Sequence, residues 1–335
     1  MPNPSSKHVP SDPRPVDSAL HPIETGNYRL ATPAIEEFFT LIETCLKYRI
    51  TGALIYGPPR IGKTRAIEYL RLLMAERYKK ITTYHVQAEH KPRHAEGPFF
   101  ASLLEAVGFP NPERGSNPAK RINLSNKIKE ACSRNGSSVV VMFIDEAQRL
   151  DENEYEWLRD VHDHLDRMQI RMFTFLVGQQ EILGVKTAFV AAKRIQIVAR
   201  LMVEELPFYG VRDVDSVATC LAGYDETCYP KTSSWSFTRF YLPKSVASGY
   251  TLASDANRLW QAFEHLHHKH GLAGPLEIPM ESFARAVEIV LKEGELRDQP
   301  GYRPGQAMWN MASTKCGYIQ SRQAVAPGAG TVRVE

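Results

Sequence analysis

The sequence predicts an α/β fold: a parallel five-stranded sheet flanked by helices, with a small helical lobe on its C-terminal side. Three observations predict it. Short apolar runs alternate with amphipathic stretches, which is how strands buried on both faces and their covering helices read. A glycine-bearing loop joins the first apolar run to a helical pattern. Beyond Pro207 the β-like runs stop and only helical periodicity continues.

The elements follow in chain order. Residues 1–22 carry Pro2, Pro4, Pro10, Pro13, Pro15 and Pro22 with few large apolar groups, and are expected to form a flexible tail. The first helix opens at Thr32-Pro33, a capping residue followed by proline at the first helical position. Its apolar stripe is Ile35, Phe38, Phe39, Ile42 and Leu46. Strands are predicted over Gly52–Tyr56, Thr82–Gln87, Val139–Ile144, Met172–Val177 and Met202–Leu206, with helical patterns over 63–77, 98–107, 120–133, 152–168 and 180–192. Residues 23–209 thus form one α/β domain. A helical lobe is expected over 210–293, from patterns at 211–222, 254–269 and 279–293, the middle one striped by Ala256, Leu259, Trp260, Phe263 and Leu266. Residues 294–335, where Gly and Pro return, are expected to be a tail that orders on a partner.

Composition bounds the function. The 335 residues are 43% hydrophobic and 24% charged, as in globular chains, which excludes a disordered or fibrous protein. No apolar run reaches the roughly 18 residues that span a bilayer, and the N-terminal segment lacks the apolar centre of a secretion signal, so a cytoplasmic protein without a membrane partner is expected. Cys45, Cys132, Cys220, Cys228 and Cys316 are scattered and form no CxxC, which argues against a disulfide framework and a zinc ribbon. The net charge of +3 implies no whole-surface affinity for nucleic acid, so any DNA contact must come from a local patch.

The strongest motif is GPPRIGKT: Gly57, Pro58, Pro59, Arg60, Ile61, Gly62, Lys63 and Thr64 satisfy GxxxxGK[ST], with a strand before and a helix after. Glycines let the backbone turn its N–H groups toward phosphate oxygens, and the helix adds its positive end. Lys63 is placed to reach the β- and γ-phosphates and Thr64 to bind Mg²⁺. The second motif, VVVMFIDEAQ, is a doubly buried strand with Asp145 and Glu146 at its carboxyl end, where open α/β sheets bind ligands. Asp145 is expected to hold Mg²⁺ through water, and Glu146 to polarise the attacking water. ATP and Mg²⁺ are therefore the expected cofactors, and ATP hydrolysis the expected reaction.

With FIDEAQRL (143–150), FLVGQQE (175–181) and ARLMVEELPFYG (199–210), the chain over residues 30–293 resembles the AAA+ ATPases, and most closely the transposition regulators of the TnsC/TniB/IstB type. Bacterial secretion ATPases share the looser signatures. The resemblance implies a P-loop AAA+ sheet with a helical lid, Gln179 as a sensor of the γ-phosphate, and Arg200 as the cation completing a neighbouring subunit's site, with Arg194 as competitor. It also implies Arg258 as a second sensor, although Asp255-Ala256 stand where the family usually carries glycine. A solvent-facing strand end for Gln179 and an exposed helical arginine for Arg258 are the alternatives. The implied function is an oligomer, ring or filament, on duplex DNA, linking a target-selection protein to a transposase. Lys91, Arg93, His94, Lys120 and Arg121 are the cations best placed for phosphate contacts. The alternative is a remodelling or secretion-associated ATPase with protein partners. The run HLHHKH, with His265, His267, His268 and His270, matches no standard metal spacing and reads as a polar helix end.

Overall fold

The computed structural model describes residues 13–91 and 94–323. Contacts divide the chain into two units: one of Ala31–Arg212 with Glu277–Glu281 and the residues from Tyr318, the other of the segment ending at Leu30 with Asp213–Leu276 and Ser282–Gly317.

The first unit is built on a five-stranded sheet, β1 (Gly52–Tyr56), β2 (Thr82–Gln87), β3 (Val139–Asp145), β4 (Arg171–Gly178) and β5 (Glu204–Pro207), in the order β2-β3-β4-β1-β5. Every pairing is parallel. The register sets Tyr56 against Gly178 and Ile144 against Leu176, so the carboxyl ends of β1, β4 and β3 finish along one edge. Parallel pairing forces each return crossing over a face, and helices cover both. On one face, Phe38, Phe39 and Ile42 of the helix Pro33–Tyr48 and Ile67, Leu70 and Met74 of Lys63–Arg77 pack on Ala53, Ile55, Phe143 and Phe175. The opposite face buries Leu54, Met142, Ile144 and Leu176 beneath helices Glu96–Ala106, Asn117–Asn135, Glu152–Arg167, Glu181–Ala191 and Ile195–Leu201.

Boundaries shift where local chemistry decides them. The predicted strand Met202–Leu206 starts later, at Glu204, because Ile195–Leu201 is helical and Met202 terminates it, its backbone N–H bonded to Val198 O. The sequence pattern predicts no helix over Ile195–Leu201. The helix is separated from Glu181–Ala191 by Lys193, whose φ of 60° breaks the helical path. The helix Asn117–Asn135 begins earlier than predicted, at a Ser116 cap with Pro118 in its first turn, and ends on Gly136 in the left-handed region.

The second unit is helical. Its main helices are Val214–Glu226, Ala256–Lys269 and Gln306–Lys315, with the Ser282–Glu295 stretch of the helix that begins at Met280. Two sequence expectations change here. The segment before Leu30 is not a tail throughout: the helix Pro22–Thr25 forms, and His21 is fully buried, stacked 4.2 Å from Phe240 and edged by Phe237 and Tyr241. Burial drives the His21 pKa down to about 4, so the ring is neutral near pH 7. The C-terminal segment likewise holds two helices, Gln306–Lys315 in this unit, which buries Met308, Trp309 and Ala312, and Tyr318–Gln323 in the first unit. Both segments lacked a long apolar stripe because single large side chains anchor them. Residues 1–12 and 324–335 of the expected tails lie outside the described residues. Among the described residues no helix is long and apolar enough to cross a membrane.

Trp309 tests the ordering of the C-terminal segment. It is fully buried and its Nε1 donates to Asp255 Oδ2 at 3.2 Å. Replacing it with Ala should cost about 3–5 kcal/mol in urea denaturation; a loss under 1 kcal/mol would show that the segment does not pack as described.

Candidate functional site

The site grows from the edge where β1, β4 and β3 end together. After Tyr56 the chain turns through Gly57–Gly62 into the helix Lys63–Arg77. Gly62 has φ 114°, a left-handed value that side chains disfavour. It caps the helix without any side chain, and no acidic residue occupies the first turn, so the helix presents its N–H groups and dipole without local competition.

Lys63 is 7% exposed and its Nζ donates to the carbonyl oxygens of Gly57 and Pro58, both at 2.7 Å. The ammonium thus closes the loop on itself. Burial holds its pKa below the ordinary lysine range, against the opposing pull of Glu146, Asp145 and Glu181. An anion arriving in the loop would offset that desolvation. Arg60, also of the motif, is left-handed at φ 62° and lies 3.9 Å from Glu281.

Thr64, one residue on, donates its hydroxyl to Asp145 Oδ2 at 2.6 Å. Asp145 is wholly buried at the tip of β3; its Oδ1 accepts the Glu146 N–H at 2.9 Å, and His85 Nε2 of β2 lies 3.8 Å from Oδ2. Burial alone would raise the Asp145 pKa; His85, the Thr64 hydroxyl and the Glu146 N–H outweigh it, so the carboxyl sits below its usual value. A hydroxyl and an ionised carboxylate side by side are hard oxygen donors of the kind Mg²⁺ takes, and the pair fits that ion.

Glu146 departs from the strand direction: its φ of 54° and ψ of 34° put a non-glycine residue in the left-handed region. Its Oε2 accepts from Gln148 Nε2 at 2.8 Å and faces Gln179 Nε2 at 3.5 Å and Arg149 Nη2 at 3.6 Å. Gln179 follows the last residue of β4, the strand between β1 and β3, and its side chain meets the acidic tip at Glu146. Lys63, Thr64, Asp145, Glu146 and Gln179 therefore share one corner. Sequence reasoning assigned no role to His85 or Gln148; His85 falls in an ordinary β-alternation, and Gln148 sits within DEAQ with no chemistry of its own to advertise.

Other candidates lie elsewhere. Arg200 makes a forked contact with the helix Glu152–Arg167, Nη2 to Asp163 at 2.7 Å and Nη1 to Asp166 at 2.8 Å, and Arg194 pairs with Glu152 at 2.7 Å. Arg258 belongs to the helical unit, where it pairs with Asp255. Asp255 also accepts hydrogen bonds from the Tyr250 hydroxyl and Trp309 Nε1. Among the described residues, the expected DNA cations are engaged within the chain. Lys91 Nζ bonds Glu154 at 2.9 Å, and His94 shares the same carboxylate at 2.7 Å. Arg121 pairs with Glu96 at 2.6 Å and Asp160 at 3.3 Å. Lys120 is 4% exposed, bonded to Gly97 O, and is corrected from surface cation to buried anchor. Arg93 lies outside the described residues.

Comparison with known proteins bears on the fold. A family model described as AAA domain matches residues 51–185, which hold the phosphate loop, the acidic strand tip and Gln179. The chain has the AAA+ P-loop fold. The ADP form of the Aeropyrum pernix ORC2 protein superposes with a TM-score of 0.54 at 15% identity, covering 88% of this chain and 72% of that one. A structure of the same protein with ADPNP and ADP gives 0.53 at 13% identity, covering 88% and 71%. The A. pernix ORC1 protein in complex with DNA gives 0.48 at 14% identity; 86% of this chain is covered, but only 66% of the length of that protein. No curated protein matches the chain.

The lowered Asp145 pKa carries a sign. A carboxyl whose native pKa is depressed adds stability that is fully present above its unfolded value of about 4, and that stability is lost as pH falls through the native value. Asp145→Asn should therefore lower Tm at pH 7, and the gap from wild type should narrow below about pH 4. Thermal melts of nucleotide-free protein across that range check it; a gap constant with pH would assign the effect to packing.

Proposed function

We propose that this chain is a Mg²⁺-dependent AAA+ ATPase that regulates DNA transposition, assembling on duplex DNA as a homo-oligomer and linking a target-selection protein to a transposase. One observation carries the enzymatic part: the 2.6 Å contact of Thr64 Oγ1 with Asp145 Oδ2, beside Lys63 and Glu146, joins the two halves of a metal–triphosphate site. The ORC2 structures of the same fold hold adenine nucleotides, which supports the choice of ligand.

In this reading Lys63 leaves the carbonyls of Gly57 and Pro58 for the β- and γ-phosphates, replacing two neutral acceptors with anionic ones. Thr64 and Asp145 would hold Mg²⁺, which supplies charge neutralisation across the phosphates. Glu146 orients the attacking water and takes its proton, and Gln179 contacts the γ-phosphate. Arg200 stabilises the transferring group of a neighbouring copy once it exchanges Asp163 and Asp166 for that group, and Arg194 is the competitor for the role. Arg258 is carried as a second sensor. ATP then acts as an assembly signal and its hydrolysis as the release. The transposition assignment is supported by the FIDEAQRL, FLVGQQE and ARLMVEELPFYG segments.

A second reading has a specific observation in its favour. Lys91, Lys120 and Arg121, the cations expected to meet DNA, bond to carboxylates and a carbonyl of their own chain. That arrangement suits a remodelling or secretion-associated ATPase whose partners are proteins.

Two variants and one partner separate these outcomes. Lys63→Ala should abolish ATP binding and any ATP-dependent assembly. Glu146→Gln should slow turnover by about 100-fold or more while leaving ATP bound, and should trap long-lived oligomers. Electron microscopy and salt-titrated gel shifts with duplex DNA, in ATP against ADP, read the rest. Rings or helices on DNA only with ATP select the regulator; ATP-driven turnover with no salt-dependent DNA affinity selects the protein-partner reading.

A further inference from the structure

Glu146 sits in a backbone conformation that non-glycine residues adopt only where their surroundings hold them. The 3-10 turn that follows it, Ala147–Arg149, is pinned: the Tyr155 hydroxyl donates to Ala147 O at 2.8 Å and Arg149 Nη1 to Ala88 O at 3.3 Å. From this turn Gln148 reaches across to the end of β4. Its Nε2 donates to Glu146 Oε2 at 2.8 Å while its Oε1 accepts the backbone N–H of Gln179 at 3.1 Å. The amide orientation follows from the partners, since an ionised carboxylate only accepts and a backbone N–H only donates.

The bridge also occupies space that the chain leaves for it. A Cβ on Gly178, the last residue of β4, would lie 2.5 Å from Gln148 Oε1. Glycine at that position is what lets the amide lie against the strand end. The contacts of the Glu146 side chain with Gln148, Gln179 and Arg149 all converge on Oε2.

We infer that Gln148 is a positioning residue: it holds one oxygen of Glu146 so that the other faces the reacting water, and it ties that carboxylate to the carboxyl end of β4. This rests on the reading of Glu146 as general base. In this role Gln148 acts through Glu146 rather than on the reacting atoms. A shift of the β4 end, where Gln179 lies, is passed through the amide to the base, so the γ-phosphate sensor and the base move as one piece. Misplacement of a base by about 1 Å can cost on the order of 100-fold in rate without touching the binding contacts.

The test uses the full-length chain and three variants. Gln148→Leu keeps the volume and loses both hydrogen bonds. Gln148→Glu keeps an acceptor for the Gln179 N–H but repels Glu146. Gly178→Ala leaves Gln148 intact and wedges its oxygen away from β4. Each should lower kcat for Mg-ATP by about 10- to 100-fold, with KM and the Kd of a fluorescent ATP analogue within about twofold of wild type and Tm little changed. The double variant Gln148→Leu/Gly178→Ala should lose far less than the product of the single losses, because both break one bridge. A crystal structure of nucleotide-free Gln148→Leu gives a readout that needs no turnover: Glu146 should leave its left-handed conformation or its carboxylate should swing away. Unchanged kcat, parallel losses of kcat and nucleotide affinity, or a Glu146 carboxylate that stays in place would each overturn the inference. Wild-type protein that binds no ATP would instead overturn the reading of the function, and the crystal structure would still decide whether Gln148 holds Glu146.

Discussion

The contact between the Thr64 hydroxyl and the Asp145 carboxylate is the constraint around which the rest of the site is arranged. Thr64 lies at the start of the helix after β1 and Asp145 at the tip of β3, and these strands are not neighbours: β4 runs between them. Strands two places apart lie roughly 10 Å from each other, so the contact is possible only because one strand tip and one helix start lean over the end of β4. The register that brings Tyr56 level with Gly178 makes that geometry available. The residue following β4 then falls inside the corner, which is why Gln179 joins it.

Charge in this corner is balanced but unsettled. Lys63 is buried against two carbonyls, and burial holds its pKa down; Asp145 is buried and held ionised by a hydroxyl, an N–H and a nearby imidazole. Both charged groups are buried, and a buried charge gains most from a true counter-charge. A phosphate for Lys63 and a divalent cation for Asp145 are the exchanges their chemistry favours. The neighbouring ion pairs have the opposite character. Arg200 with Asp163 and Asp166, and Arg121 with Glu96 and Asp160, already pair opposite charges on partly exposed surface, where each pair contributes modestly and can be exchanged.

Much of this was legible in the sequence because it depends on local rules. The motif around Gly57–Thr64 needs a strand, a tight turn and a helix start within a short segment, and periodicity reports all of them. The five strands were legible because parallel strands buried on both faces are continuous apolar runs. The helix Ile195–Leu201 was hidden by its length and by Lys193, which breaks the path before it. The segments around His21 and Trp309 read as tails because their order comes from single residues with partners far away in sequence, His21 among the rings of Phe237, Phe240 and Tyr241 and Trp309 on the Asp255 carboxylate.

By itself the sequence determined the identity of the phosphate loop, the acidic strand tip and the class of sheet that carries them, since each is a pattern of adjacent residues with a local physical cause. Only the tertiary structure decided which cations remain available. Whether Lys120 is a surface charge or a buried anchor, and whether Arg200 is free or held by two aspartates, depends on carboxylates and carbonyls brought from other elements. The same holds for Gln148: its role comes from meeting Glu146 and the end of β4 at once, and a one-dimensional pattern does not encode the crossing of two chain segments.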